Sequence, residues 1–364
     1  LRPGEPYATT IRRHMLTSKD RAEIHASWVR ALKAVAKKQE AELGSIALIT
    51  FEEMIWHAIG HLTGMRKAGL RPEEDILQEG LEIALSLSLR YQKHRLPGPC
   101  TRIACLGIEL ARATNRALAE LDLIERLTHY ASNVGISLGE LKKLVRRAEE
   151  LTKIMEKKLW RADVVWHHYC YIARSLAERL RGQEGLKLLD HVEHVYADKI
   201  DQKELRLDAK GALDNTRIKL LMELGELDDA EKVIRRNLER VKILYKMGFL
   251  PRDTYHHRIA VTENDLGMLL FRRGRSEDLK EAIEHFKASE QYHRALGGKS
   301  DVADSLMNEA ICLLVLNGPE KINKAIEWLS EALKIFERID DYQGYCRSLY
   351  LISLAYLALG LDDI

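Results

Sequence analysis

Three segments decide the fold when laid over one another: GELDDAEKVIRRN at 225–237, GRSEDLKEAIEHFKAS at 274–289 and GPEKINKAIEWLSEA at 318–332. Each opens on a glycine. Each then places an alanine, a large apolar residue and a smaller one at helical intervals: Ala230, Ile234 and Asn237; Ala282, Phe286 and Ser289; Ala325, Leu329 and Ala332. Residues three and four apart share a helix face, and small ones among them let a second helix approach closely. Gly182 upstream and Gly360 downstream extend the series, with spacings of 43, 49, 44 and 42 residues. Each glycine follows a long apolar segment, as expected of a residue that ends a helix in the left-handed conformation. A period of this length predicts an all-α chain of tandem helix hairpins, each burying its apolar face on the next.

Composition agrees. With 22 glycines and 7 prolines in 364 residues, the chain is poor in turn formers, and no stretch alternates as a strand would. The formal charge is +2 on 57 basic and 55 acidic side chains, so no global field favours nucleic acid or an anionic membrane. Five scattered cysteines (Cys100, Cys105, Cys170, Cys312, Cys346) without CxxC spacing argue against a disulfide framework or a zinc site, and for a cytoplasmic protein. The most apolar run, Leu349–Leu361, is 13 residues, too short for a membrane span. The chain opens on Leu1 without a signal sequence, which suggests an incomplete N-terminus.

Outside the repeats, Thr17 with Asp20, Thr50 with Glu53 and Ser137 with Glu140 have capping-box spacing, and Pro72 before three acidic residues opens a further helix. Leu96-Pro97-Gly98-Pro99 is the expected boundary between an N-terminal helical region, 1–99, and a helical array, 100–364. Gly360-Leu361-Asp362-Asp363 repeats the start of a second helix, so the last hairpin is expected to be incomplete and covered by further repeats.

Leu266, Gly267 and Leu270 in a first helix, with Ala282, Phe286, Ala325, Leu329 and Ala332 in second helices, resemble the tetratricopeptide repeat across about residues 160–364. The period is longer than that family's usual one, and its aromatic position near Glu263 is absent, which marks a divergent subclass. Such long repeats resemble the sensor arrays of bacterial signal-transduction and transcription regulators. The resemblance implies a right-handed superhelix whose first helices line a concave groove.

In that groove the repeat register places Asn215, Asn264 and Asn308 at matching positions, a ladder of carboxamides able to donate to and accept from a peptide backbone. Arg217, Lys219, Arg258 and Arg272 lie near enough to hold an acidic group. As ordinary structure, these asparagines would bond to neighbouring helices and these cations would be solvated. His57 and His61 with Glu53 share a metal-like spacing but read better as a polar helix face. His167, His168, His256 and His257 read as helix surface or inter-helix contacts, and Cys170 after His167 reads as a buried thiol. The basic stretch Lys142 to Arg161 is interleaved with Glu140, Glu149, Glu150 and Glu156, as on a solvated helix. No phosphate-binding, nucleophile-elbow or zinc-protease motif occurs.

These residues point to a non-enzymatic module without cofactor or metal. It would bind a peptide or protein segment and signal to an effector domain or partner protein. A constitutive protein-interaction scaffold is the alternative, and a nucleic-acid binder or helical enzyme has no support in the sequence.

Overall fold

Apolar side chains recurring at helical spacing, closed by caps and glycines, fold the described residues of this chain into a series of helices. The computed structural model describes residues 17–39, 45–93, 96–131, 134–157, 162–339 and 341–360, and for 31–39, 45–50 and 93 the backbone only. Among these residues there are fifteen α-helices, a short 3-10 turn at Ala197–Lys199 and no strand. The chain divides into two compact units, 1–179 and 180–364. No helix among the described residues is long and apolar enough to cross a membrane.

The first unit holds α1 (Ser18–Gln39), α2 (Ser45–Lys67), α3 (Glu74–Lys93), α4 (Pro97–Ala113), α5 (Ala117–His129), α6 (Leu138–Glu156) and α7, Ala162–Leu180, whose last residue falls in the second unit. From α1 to α6 each helix packs on the next. Two capping boxes stand as the sequence predicts. The Thr17 and Asp20 side chains bond each other's backbone N–H, and Ser137 and Glu140 do the same at α6. The third does not. α2 begins at Ser45, so Thr50 lies inside a helix rather than at its start, because the apolar run from Ile46 sustains the turns before it.

The Leu96–Pro99 break lies within the first unit, at the start of α4. Leu96 is the N-cap, and Pro97 and Pro99 occupy the first turn of α4, where a missing N–H breaks no helical bond. His61 also departs from the sequence reading. It is fully buried rather than on a polar face: its Nδ1–H donates to the Ala22 carbonyl at 2.9 Å, and its Nε2 accepts the Glu73 N–H at 2.9 Å. Burial is tolerated because both ring nitrogens are bonded. His57 is half-buried, stacked on Trp28, with its Nδ1 2.7 Å from that of His25.

The second unit holds α8 (Gly182–Val195), α9 (Lys203–Leu224), α10 (Leu227–Lys246), α11 (Arg252–Arg273), α12 (Ser276–Ala295), α13 (Lys299–Leu316), α14 (Pro319–Arg338) and α15 (Tyr342–Ala358). Helices α9/α10, α11/α12 and α13/α14 are hairpins, each packed on the following one. Gly225 and Gly274 end α9 and α11 in the left-handed conformation, at φ of 78° and 73°. At the third hinge Asn317 ends α13 and Gly318 caps α14 instead. The residues that define the repeat form its core: Ala230, Ile234, Asn237, Ala282, Phe286, Ser289, Ala325, Leu329 and Ala332 are all buried. Gly267 admits the Phe286 ring so closely that a Cβ there would lie 2.6 Å from it. At the unfilled aromatic position, Glu263 instead takes an ion pair from His285 across the hairpin at 2.7 Å. The half-hairpin reading of Leu361, Asp362 and Asp363 falls outside the described residues.

Candidate functional site

First helices of successive hairpins touch, α11 with α13 and α13 with α15. Between them lies a polar cavity of about 390 Å³. Its walls carry Asn264 and Met268 from α11, Ser289 and His293 from α12, Asp301, Asp304, Ser305 and Asn308 from α13, and Arg347 from α15. Helical spacing puts these together: Asp301, Asp304, Ser305 and Asn308 fall at three- and four-residue steps along one face of α13.

Two of the expected asparagines meet here. Asn308 Nδ2 donates to Asn264 Oδ1 at 3.1 Å, tying α11 to α13. That bond leaves out the Asn264 amide NH2 group and the Asn308 carbonyl oxygen, so the pair offers both donors and an acceptor, as pairing with a peptide unit requires. One repeat further, Arg347 donates to Asp304 Oδ1 at 3.3 Å, tying α13 to α15. Burial raises the Asp304 carboxyl above its ordinary value, while Arg347 pulls it down.

The other expected residues are placed elsewhere. Asn215 does not extend the ladder: its Oδ1 accepts from buried Asn237 in α10 at 2.7 Å, so it fastens its own hairpin. Arg258 pairs with Asp208 at 2.5 Å, and Arg272 donates to the Met222 carbonyl at 3.0 Å, so both join α9 to α11. Lys219 is exposed and faces Asp265, whose carboxyl burial pushes up to about 7 against the pull of that lysine. Arg217 is buried in an ion cluster with Asp190, Glu193 and Asp214.

The sequence reading missed Asp304, Arg347, His293 and Asp301. The signal for the first two was present: residues 304 and 347 are one repeat period apart and carry opposite charge.

Beside the cavity stands Glu309, 1% exposed, whose Oε1 accepts no hydrogen bond from the described residues. Burial, and then Glu290 opposite, push its carboxyl up to about 8. The folded state therefore keeps a proton that the unfolded chain loses near the ordinary value of 4.5. The contribution of Glu309 to stability is expected to fall as pH rises from about 4.5 to about 8 and to be level outside that window. Glu309→Gln removes this slope. Urea unfolding is expected to find the variant more stable than the wild type by about 4–5 kcal/mol at pH 8.5 and equal to it at pH 4. Equal stability at both pH values would place the proton elsewhere.

The first unit contains a larger cavity, about 680 Å³, between α3, α5, α6 and α7. Leu81, Leu85, Leu118 and Met155 give it aliphatic walls, and His168 at its edge is held by Glu125 at 2.5 Å. Cys170 is buried, and among the described residues no cysteine forms a disulfide. Of the basic stretch, Arg147 pairs with Glu120 and Glu150, and Lys153 with Glu149; residues 158–161 are outside the described set.

No family model matches the chain, and no curated protein matches it. Among solved structures it is similar to BtubC (BKLC) from P. vanneervenii at 14% identity, over 72% of this chain and 93% of that one, with a TM-score of 0.45. A circular tandem repeat protein with novel repeat topology matches at 16% identity, over 94% and 85%, with a TM-score of 0.23. Neither likeness is close enough to carry an argument. The fold rests on the molecule's own periodicity: hairpins follow one another, and the bonds Asn264–Asn308 and Asp304–Arg347 recur 44 and 43 residues apart. The chain is a helical tandem-repeat protein.

Proposed function

We propose that this chain is a binding and sensing module that takes a peptide or protein segment at the Asn264–Asn308 face and passes its occupancy to an effector domain or partner protein. The observation that carries the reading is that one cavity is built from the first helices of three successive repeats, α11, α13 and α15, each joined to the next by a polar bond. A ligand there touches three repeats at once. In an array whose repeats contact only their neighbours, such a ligand selects one relative placement of those repeats. The cavity volume lies in the ordinary range for binding sites, and its donors and acceptors suit a main chain with polar side chains. The role is non-catalytic, and cysteines without disulfides fit a reducing cytoplasm.

The test is native mass spectrometry of the full chain purified from its own host, with denaturing analysis of what dissociates. A co-purifying peptide that is lost from the Asn264→Ala, Asn308→Ala double variant, with helicity unchanged, is the expected result. A species retained equally by both forms would sink the clamp. Each deleted hydrogen bond is expected to weaken binding by about 2- to 12-fold.

One observation favours a constitutive protein-interaction scaffold as the second reading. On α15, Tyr342, Tyr350 and Leu357 are 78%, 65% and 57% exposed. A scaffold predicts a partner footprint on that helix and none at the asparagines.

A further inference from the structure

The two hairpins that form the polar cavity also bring together three side chains with the donor chemistry of a metal centre. His257 lies in the first turns of α11, His293 in the last turn of α12 and Asp301 in the first turn of α13. One ligand atom from each lies within 4.8 Å of the others. His293 Nδ1 and Asp301 Oδ2 are 3.7 Å apart, and the His257 and His293 rings meet edge to face at 5.6 Å. Around a tetrahedral zinc ion, donors at about 2.0–2.1 Å sit roughly 3.4 Å from one another. The observed separations therefore close onto such an ion through small side-chain rotations. His293 is buried and the other two are half-buried, so the cluster has both a fixed wall and an access path.

We propose that His257, His293 and Asp301 form a divalent-metal site of the zinc class that clamps consecutive repeats together. Two imidazoles and one carboxylate suit zinc, cobalt or nickel; calcium and magnesium demand more oxygen donors. The three ligands come from three helices and two hairpins, so the ion fixes α13 against the α11/α12 hairpin. His293 and Asp301 also line the cavity, and Asp304 adds a second carboxylate one turn beyond Asp301. Three protein ligands leave one position of a tetrahedral ion for water or for an oxygen of a cavity occupant. The sequence concealed this site because His257 sits beside His256 on a diverging face, and its true neighbours are 36 and 44 residues away.

The test uses the full chain, stripped with a chelator and titrated with Co²⁺ and then Zn²⁺ at pH 7.5, since metal affinity depends on pH. The expected result is one Co²⁺ per chain, with visible bands of four- or five-coordinate intensity and no thiolate charge-transfer band, displaced by Zn²⁺. His257→Ala and Asp301→Asn are expected to weaken Zn²⁺ binding by more than about 100-fold, since even loss of a ligand's hydrogen-bonding partner costs about 10- to 100-fold. Zn²⁺ at about a hundred times its Kd is expected to raise the wild-type Tm by several degrees, and not that of His257→Ala. His257 is only half-buried, so its truncation leaves the core intact. Absence of saturable binding, wild-type affinity in either variant, or a thiolate band that assigns the metal to cysteine would each overturn the proposal. No peptide enters these readouts, so they are independent of the sensing role.

Discussion

Phe286→Ala is expected to destabilise the chain by about 3–5 kcal/mol, the range for emptying a fully buried phenylalanine site. The ring is 1% exposed and lies directly on Gly267, which has no side chain to move into the vacated space. The α11/α12 crossing was shaped around that ring, so it collapses poorly and the cavity cost adds to the lost burial. The converse change, Gly267→Leu, is expected to be at least as damaging, because even its Cβ would lie 2.6 Å from the Phe286 ring. Phe336 against Gly344 repeats the device between α14 and α15. Repeat stabilities are nearest-neighbour sums, so native-state hydrogen exchange should show the loss of protection in α11–α14 and leave α1–α6 unchanged. A uniform loss over the whole chain would contradict the repeat description.

Asp214→Ala is expected to cost about 3–5 kcal/mol for a different reason. Its carboxylate is fully buried in α9 and accepts from Arg217, Arg236 and Arg240, Arg236 at 2.7 and 3.1 Å. Burying several charges stabilises little in net terms, but removing the anion leaves cations in a site built for neutrality. Arg217 keeps Asp190 and Glu193, at 3.0 and 2.8 Å, whereas Arg240 has a side chain only 11% exposed and pairs with no second carboxylate among the described residues. The half-exposed Arg236 serves as the control: Arg236→Ala is expected to cost under about 1 kcal/mol. Urea unfolding of the two variants measures the difference, and equal midpoints would mean that water reaches the cluster.

The periodic half of the fold was legible because its determinants are local. Hinge glycines, small residues at the helix crossings and the Ser137 and Thr17 caps act within a turn or two of where they are written. The Thr50 cap misled because a capping-box spacing also occurs inside helices, where only the preceding apolar run decides the start. The Pro97-Gly98-Pro99 break misled about organisation because a proline suits the first turn of a helix as well as it suits a linker. The asparagine register was half legible. Aligning repeats located residues 264 and 308 on facing helices, but Asn215 bonds Asn237, a partner on another helix that spacing alone does not reveal. His61 was misread for the same reason: its two partners, the Ala22 carbonyl and the Glu73 N–H, belong to other segments of backbone.

The most direct measurement is the affinity of extended peptides, selected from a random display library on the wild-type chain, for the Asn264→Ala, Asn308→Ala double variant by fluorescence anisotropy. The polar face between α11, α13 and α15 predicts a loss of at least about 5-fold, with the circular dichroism of the variant unchanged. Peptides that bind the double variant as tightly as the wild type would contradict the assignment of ligand reading to this face.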